Sequence, residues 1–323
     1  MVTESLFLFP KRHAYCITGS MQATLQYEEV RDRVRGAFLG LAIGDALGAP
    51  VEFMTSGEIK ARHGILKELV GGGWLRLKPG QVTDDTDMAL CIARAVVSCQ
   101  GWELSAIAQQ FSVWLRSKPV DVGDTCRRGI RDFMLKGQLE TPFNAWDAGN
   151  GAAMRLLPVA ILTMGDDSLL QQYAVAQARI THNHPLSDAA CVWLGRLVQH
   201  CFTGSSKSRL RRELETLLVE HPQFKFDPYH GLATGYVVDT MQTVFHYFFR
   251  GKDFESCLVG TVNQGGDADT TGAIIGALAG AYYGEEGIPH RWLKKLDRHL
   301  MNEITRLAEE LLKLSPYGRE MRG

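Results

Sequence analysis

The 323-residue chain carries 35 Lys and Arg against 36 Asp and Glu, for a formal net charge of −1 and a pI of about 6.8. That balance offers no basic surface for nucleic acid, so the expected partner is a small molecule or another protein. The seven cysteines, Cys16, Cys91, Cys99, Cys126, Cys191, Cys201 and Cys257, are odd in number and never form a CxxC pair. They fit reduced thiols in a cytoplasmic chain better than a disulfide framework or a zinc site.

At the N-terminus, Leu6 to Pro10 is too short for a signal-peptide core and precedes rather than follows Lys11 and Arg12. Residues 1–25 read as a loose leader, with Met21 a candidate start, and residues 26–323 as one domain. No apolar run is expected to approach the roughly 20 residues that span a bilayer, so no direct membrane anchor is expected.

From Val34 to Leu47 the sequence predicts a buried helix, with Val34, Ala37, Phe38, Leu41 and Ala42 at helical spacing. Gly36, Gly40, Gly44 and Gly48 lie among them. A helical glycine costs about 1 kcal/mol relative to alanine, a cost that close backbone packing or a ligand would offset. Asp45 sits on this helix and Glu52 just past its end. Either acid alone reads as a solvated or capping group. Beside the acidic loops described below, Glu52 becomes a candidate metal or ribose contact.

Residues 71–80 read as a loop that delivers Thr83-Asp84-Asp85-Thr86-Asp87 to a helix at 86–99, and the absence of GxxxxGK[ST] excludes a P-loop. After a helix at 103–116, the loop 118–125 places Asp121 between Val120 and Val122. Partial burial there raises a carboxyl pKa unless a cation opposes it, so Asp121 is a candidate acid or base. Capping of the following helix, 125–136, is an equal alternative.

Gly149-Asn150-Gly151 opens a helix predicted over 151–164, whose N–H groups could hold a phosphate or diphosphate. Asn-Gly is also a common turn. His182 and His184 lie between helices at 168–180 and 186–202 without a third nitrogen or sulfur ligand nearby. A substrate contact or a satisfied turn is favoured over zinc. Residues 203–232, with a charged helix at 207–220, read as a peripheral excursion, followed by helices at 233–250 and 253–262.

The central signal is Gln264-Gly265-Gly266-Asp267-Ala268-Asp269-Thr270-Thr271-Gly272, leading into an apolar run to Tyr283. One acid-rich helix start is explained by capping and the helix dipole. Two such starts, at 83–87 and 267–270, point to loops converging on a hard cation such as Mg2+ or Mn2+. An amphipathic helix at 290–313 closes the chain. Strand-like alternation is nearly absent, so the expected fold class is all-α, a compact helical bundle with the acid loops at one end.

Taken in order, Gly44-Asp45-Ala46-Leu47-Gly48 with Glu52, Thr83-Asp84-Asp85-Thr86, Gly149-Asn150-Gly151 with Met154-Arg155, and Gly265 to Thr271 resemble the signature of the ADP-ribosylglycohydrolase family, over about Arg33 to Leu312. Segments 72–80, 119–123 and 178–185 are most similar to the bacterial members that act on the iron protein of nitrogenase. The resemblance implies an all-α fold with two divalent cations, Mn2+ or Mg2+, held by Thr83, Asp84, Asp85, Asp267, Asp269 and Thr270, with Glu52 close by. It makes Asp121 the acid/base group and places Gly123, Gly149, Asn150, Gly151 and His182 along the ADP-ribose cleft. The implied reaction is hydrolysis of the N-glycosidic bond between ADP-ribose and a protein arginine. The implied protein partner is the ADP-ribosylated nitrogenase iron protein, with a PII-type signalling protein as a further partner that brings the cytoplasmic enzyme to the inner membrane. Asp87 and Asp124 depart from the family pattern, where Glu and Asn are expected, and Asp124 bears on substrate preference. Two rivals stay open: hydrolysis of another ADP-ribose linkage, such as a serine or acetyl conjugate, and a non-catalytic structural relative.

Overall fold

The structure is a computed structural model that describes residues 26–322, so the expected leader, with Met21 and Cys16, lies outside the described residues. Fifteen α-helices carry the described chain: α1 (Tyr27–Gly48), α2 (Ser56–His63), α3 (Asp84–Cys99), α4 (Leu104–Arg116), α5 (Asp124–Lys136), α6 (Leu157–Leu162), α7 (Asp167–Arg179) and α8 (Pro185–Phe202) in the first part. They are followed by α9 (Lys207–Glu220), α10 (Val237–Arg250), α11 (Phe254–Val262), α12 (Ala268–Tyr283), α13 (His290–Leu293), α14 (Arg298–Leu314) and α15 (Pro316–Glu320). Among the described residues the only β-type pairings are isolated bridges, so the all-α expectation holds.

The centre of the molecule is the pair α1 and α12, which run antiparallel. Their glycines face one another at four-residue spacing: a Cβ on Gly44 would lie 1.8 Å from the carbonyl oxygen of Gly272, and one on Gly40 would lie 2.2 Å from that of Gly276. Residues four apart share one helix face, so the glycine seam lets two backbones approach more closely than any side chain allows. This contact supplies the packing that offsets the glycines' cost in helix propensity. It also fixes the C-terminal end of α1, with Asp45, against the N-terminal end of α12, with Asp269: a Cβ on Gly48 would meet the Asp269 nitrogen at 2.5 Å.

Over Tyr27–Val51 the chain is long and apolar enough to cross a membrane, with mean hydropathy 1.3, contrary to the sequence expectation that no run approaches that length. In the fold 94% of that window is buried in protein, as a core helix requires. Three predicted helices also change. The helix expected over 151–164 begins only at Leu157, because Asn150 closes a turn through Ala153 and Met154 N–H, and Pro158 is tolerated only in a first helical turn. Helix α10 starts at Val237 rather than 233, since Gly235 and Tyr236 pair instead with Asn150 and Gly149. The expected 290–313 helix is split into α13 and α14, where the Asp297 side chain caps the backbone N–H of His299 and Leu300. Helix α2 was missed, being short, charged and largely exposed. The polar stretch 203–232 is peripheral in sequence only in part, for Leu210, Leu214, Leu217 and Phe224 are fully buried.

Candidate active site

Both acid-rich helix starts converge on one cleft of about 780 Å3, within the usual range of small-molecule sites. Neither spends its leading residue on capping. Thr83 and Asp267 stand at the N-cap positions of α3 and α12, yet the side chain of neither caps its helix. Thr83 instead turns to Asp45, donating its backbone N–H at 3.0 Å and its hydroxyl at 2.9 Å. Thr86 adds its hydroxyl at 2.6 Å and its N–H at 3.2 Å to the same carboxylate. Asp45 is fully buried and holds the whole 83–86 turn on the end of α1.

Asp267 accepts a 2.6 Å hydrogen bond from the Asn150 amide, which also donates to the Thr240 hydroxyl at 3.0 Å. The segment before it is shaped by Gly266, whose positive φ of 68° and 2.0 Å Cβ clearance to the Ala233 carbonyl oxygen exclude any side chain. Gly266 also exchanges backbone hydrogen bonds with the Glu52 loop, donating to Met54 and accepting from Phe53. As a result one carboxylate oxygen from each of Glu52, Asp267 and Asp269 lies within 4.8 Å of the others. The indole of Trp74, which also lines the cleft, fixes Glu52 with a 2.7 Å hydrogen bond.

Two successive backbone N–H groups serve the neighbouring acids: Gly123 N–H donates to Asp84 Oδ2 at 3.1 Å, and Val122 N–H to Asp121 Oδ1 at 2.7 Å. Asp85 Oδ2 lies 3.2 Å from the Thr83 hydroxyl oxygen, whose one proton goes to Asp45, while its Oδ1 is buried with no hydrogen-bond partner. An orphaned buried carboxylate oxygen is costly, and a cation is the natural partner for it.

The electrostatics agree. Burial first, and the neighbouring acids after it, push the Asp84 carboxyl up to about 8 and that of Glu52 up to about 7. Asp85 and Asp269 are pushed well above the ordinary carboxyl range for the same reasons. Asp45 rises to about 6 by burial, against the four hydrogen bonds it accepts. Asp121 is raised by burial, with Arg127 opposing. A cluster of hard oxygen donors that repel one another in this way fits divalent cations.

Of the residues expected from the sequence, Glu52, Asp84, Asp121, Gly123, Gly149, Asn150, Gly151, His182, Asp267, Asp269 and Thr270 line the cleft, and Thr83 and Asp85 lie beneath it. Asp87 does not reach the site, since it accepts from the Trp114 indole at 3.0 Å, whereas Asp124 lines the cleft. Asn150 uses its backbone N–H on Gly235 and its side chain on Asp267 and Thr240, so the 149–151 turn is no open helix N-terminus. His184 caps α8 by accepting from Leu186 N–H, a satisfied turn. Sequence reasoning undervalued Asp45 and missed Phe53, Trp74, Thr234 and Gly235 along the cleft. For Asp45 a signal existed: one turn to either side stand only Leu41, Ala42, Gly48 and Ala49, so a buried acid there needs backbone donors from elsewhere.

The family model for ADP-ribosylglycohydrolase matches residues 26–320. The chain is 55% identical over 286 residues to the ADP-ribosyl-[dinitrogen reductase] glycohydrolase of Rhodospirillum rubrum, covering 88% of this chain and 97% of the relative. It is 30% identical to the ADP-ribosylarginine hydrolase Tri1 of Serratia proteamaculans, over 89% of this chain and 81% of the relative. A solved structure described as an ADP-ribosylglycohydrolase-related protein complex superposes with a TM-score of 0.79 at 35% identity, over 89% of this chain and 99% of that one.

Proposed function

The chain belongs to the ADP-ribosylglycohydrolase family, and we propose that it removes ADP-ribose from a modified arginine of dinitrogen reductase, the iron protein of nitrogenase. The observation that carries this reading is the convergence of the 83–85 and 267–270 turns with Glu52 and Asp121 on one cleft. The extent and level of identity to the Rhodospirillum rubrum enzyme support the substrate.

In this reading Thr83, Asp84, Asp85, Asp267, Asp269 and Thr270 hold two divalent cations, Mn2+ or Mg2+, with Glu52 beside them. Bound there, the cations supply Lewis acidity and neutralise the carboxylates. Asn150 orients Asp267 for that task and Asp45 orients the 83–86 turn. Asp121 acts as the acid/base group, moving a proton at the ribose or the departing guanidine, and burial raises its carboxyl above the ordinary range in the direction that role needs. Water adds to the anomeric carbon as the bond to the guanidine nitrogen breaks, and the arginine leaves protonated. Gly123, Gly149, Gly151 and His182 line the part of the cleft that takes the ADP-ribosyl group. The protein works in the cytoplasm and reaches the inner membrane through a PII-type signalling partner, a reading supported by likeness to the bacterial enzymes alone.

The test is release of free ADP-ribose from arginine-ADP-ribosylated dinitrogen reductase with Mn2+, with Mg2+ and after chelation, beside serine and acetyl conjugates. Metal-dependent release from arginine that Asp267→Ala abolishes is the expected result. Faster turnover of a serine or acetyl conjugate would overturn the arginine assignment, and a folded protein that takes up no cation would overturn the metal centre.

A further inference from the structure

His182 follows α7 and lies under the 149–151 turn. A Cβ on Gly149 would lie 3.1 Å from its Nε2, and one on Gly151 2.8 Å from its Cε1, so the glycines keep that edge of the ring open to the cleft. The opposite edge is engaged inside the protein. Nδ1 lies 2.7 Å from the Thr181 hydroxyl oxygen, which lies 2.8 Å from Arg155 Nη2.

Arg155 is fully buried and finds its other partners in Gln177, through the side chain and the backbone carbonyl, in the sulfurs of Cys126 and Met88, and in the face of Phe111. No carboxylate stands among these contacts. A guanidinium has donors only, so the Thr181 oxygen accepts from Arg155. The single hydroxyl proton has two acceptors in reach, His182 Nδ1 at 2.7 Å and the Cys126 sulfur, and the imidazole nitrogen is the stronger of the two. An imidazole that accepts at Nδ1 and stays neutral carries its proton on Nε2.

We propose that Arg155 and Thr181 are positioning residues that lock His182 as the neutral Nε2–H tautomer, so that it offers the cleft a fixed hydrogen-bond donor for an acceptor oxygen of the ADP-ribosyl group. The identity of that ligand rests on the function proposed above, whereas the tautomer does not. The surroundings keep the ring uncharged: burial, then the charges of Arg155 and Arg128, hold His182 down to about 3. Arg128 is itself paired with Asp147, and burial keeps the Cys126 thiol protonated by raising it to about 11. His182 is therefore neither a general base nor a cationic anchor.

The experiment is long-range 1H–15N correlation on the 15N-histidine-labelled, metal-loaded full chain, with His182 assigned by its loss in His182→Gln. The expected spectrum has a protonated Nε2 and an unprotonated Nδ1, unchanged between pH 5 and pH 8. Thr181→Val should lose that pattern and raise KM for the ADP-ribosylated substrate about tenfold with kcat within about twofold, in line with the effects of partners that orient a ligating imidazole. Thr181→Ser, which keeps the hydroxyl, should restore both readouts. A protonated Nδ1 in the unmodified protein would overturn the proposal, as would a folded Thr181→Val with the original pattern or the original KM. Because the spectrum is read without substrate, failure of the proposed function leaves the tautomer test standing.

Discussion

Thr83 gives Asp45 both its backbone N–H and its hydroxyl, at 3.0 and 2.9 Å, and this pair ties the acid-rich 83–86 turn to the end of the central helix. Hydrogen bonds to a buried carboxylate contribute about 1.5–3 kcal/mol each, so the turn has little freedom to move. Asp45→Asn replaces an acceptor-only group with one that points two donors at Thr83 and Thr86. We expect Mn2+ affinity to fall about 10–100-fold, as when other residues that orient metal ligands are replaced. Calorimetric titration of the folded variant decides it, and affinity within twofold of the unmodified protein would refute the role.

The antiparallel seam makes Gly44 intolerant of even a methyl group, since the added atom would lie 1.8 Å from the Gly272 carbonyl oxygen, which is backbone and cannot rotate away. Overpacking of a core costs about 1–3 kcal/mol, and Gly44→Ala is expected at or above the upper end. Gly57→Ala is the control, because its Cβ would meet nothing closer than 3.9 Å on exposed α2. That substitution should be neutral or stabilising by up to about 1 kcal/mol. Denaturant midpoints of the two variants give the comparison, and equal losses would sink the seam argument.

Stability of the metal-free protein should fall with rising pH. The site carboxyls have folded pKa values raised above the unfolded value of about 4, to about 6 for Asp45, 7 for Glu52 and 8 for Asp84. Groups raised in this way contribute stability that is complete below the unfolded value and is lost as pH rises through the folded ones. The expected window of loss runs from about pH 4 to above pH 8. Melting curves in chelator at pH 6 and pH 9 should show the drop, and Mn2+ at pH 9 should reverse it. A melting temperature that rises with pH in chelator would contradict the assignment.

Asp121 sits beside the acid cluster on the loop whose Gly123 N–H binds Asp84, and its own carboxylate accepts from Val122 N–H. Asp121→Asn is expected to lower kcat by about 10^2 to 10^4-fold, the usual share of a proton-transfer group. Mn2+ affinity should stay within about threefold. Near-full turnover with metal bound would remove Asp121 from the mechanism, and loss of metal binding would make it a ligand instead.

Much of this was legible in the chain itself. The all-α class follows from helical periodicity without strand alternation, and the gathering of the acids at one cleft follows from two acid-rich helix starts, because a cap needs one such residue and each start offers several. The glycines at 36, 40, 44 and 48 announced close packing but not their partner, since a helix face says what is small and not what lies against it. The tertiary structure decided that α12 is that partner, and with it that Asp45 holds Thr83 rather than facing solvent. It likewise decided that Asn150 serves Asp267 across 117 residues of sequence and that Thr181 joins Arg155 to His182. Local pattern reports which face of an element is buried, whereas the hydrogen bonds that orient a site cross between elements and exist only once the helices have packed.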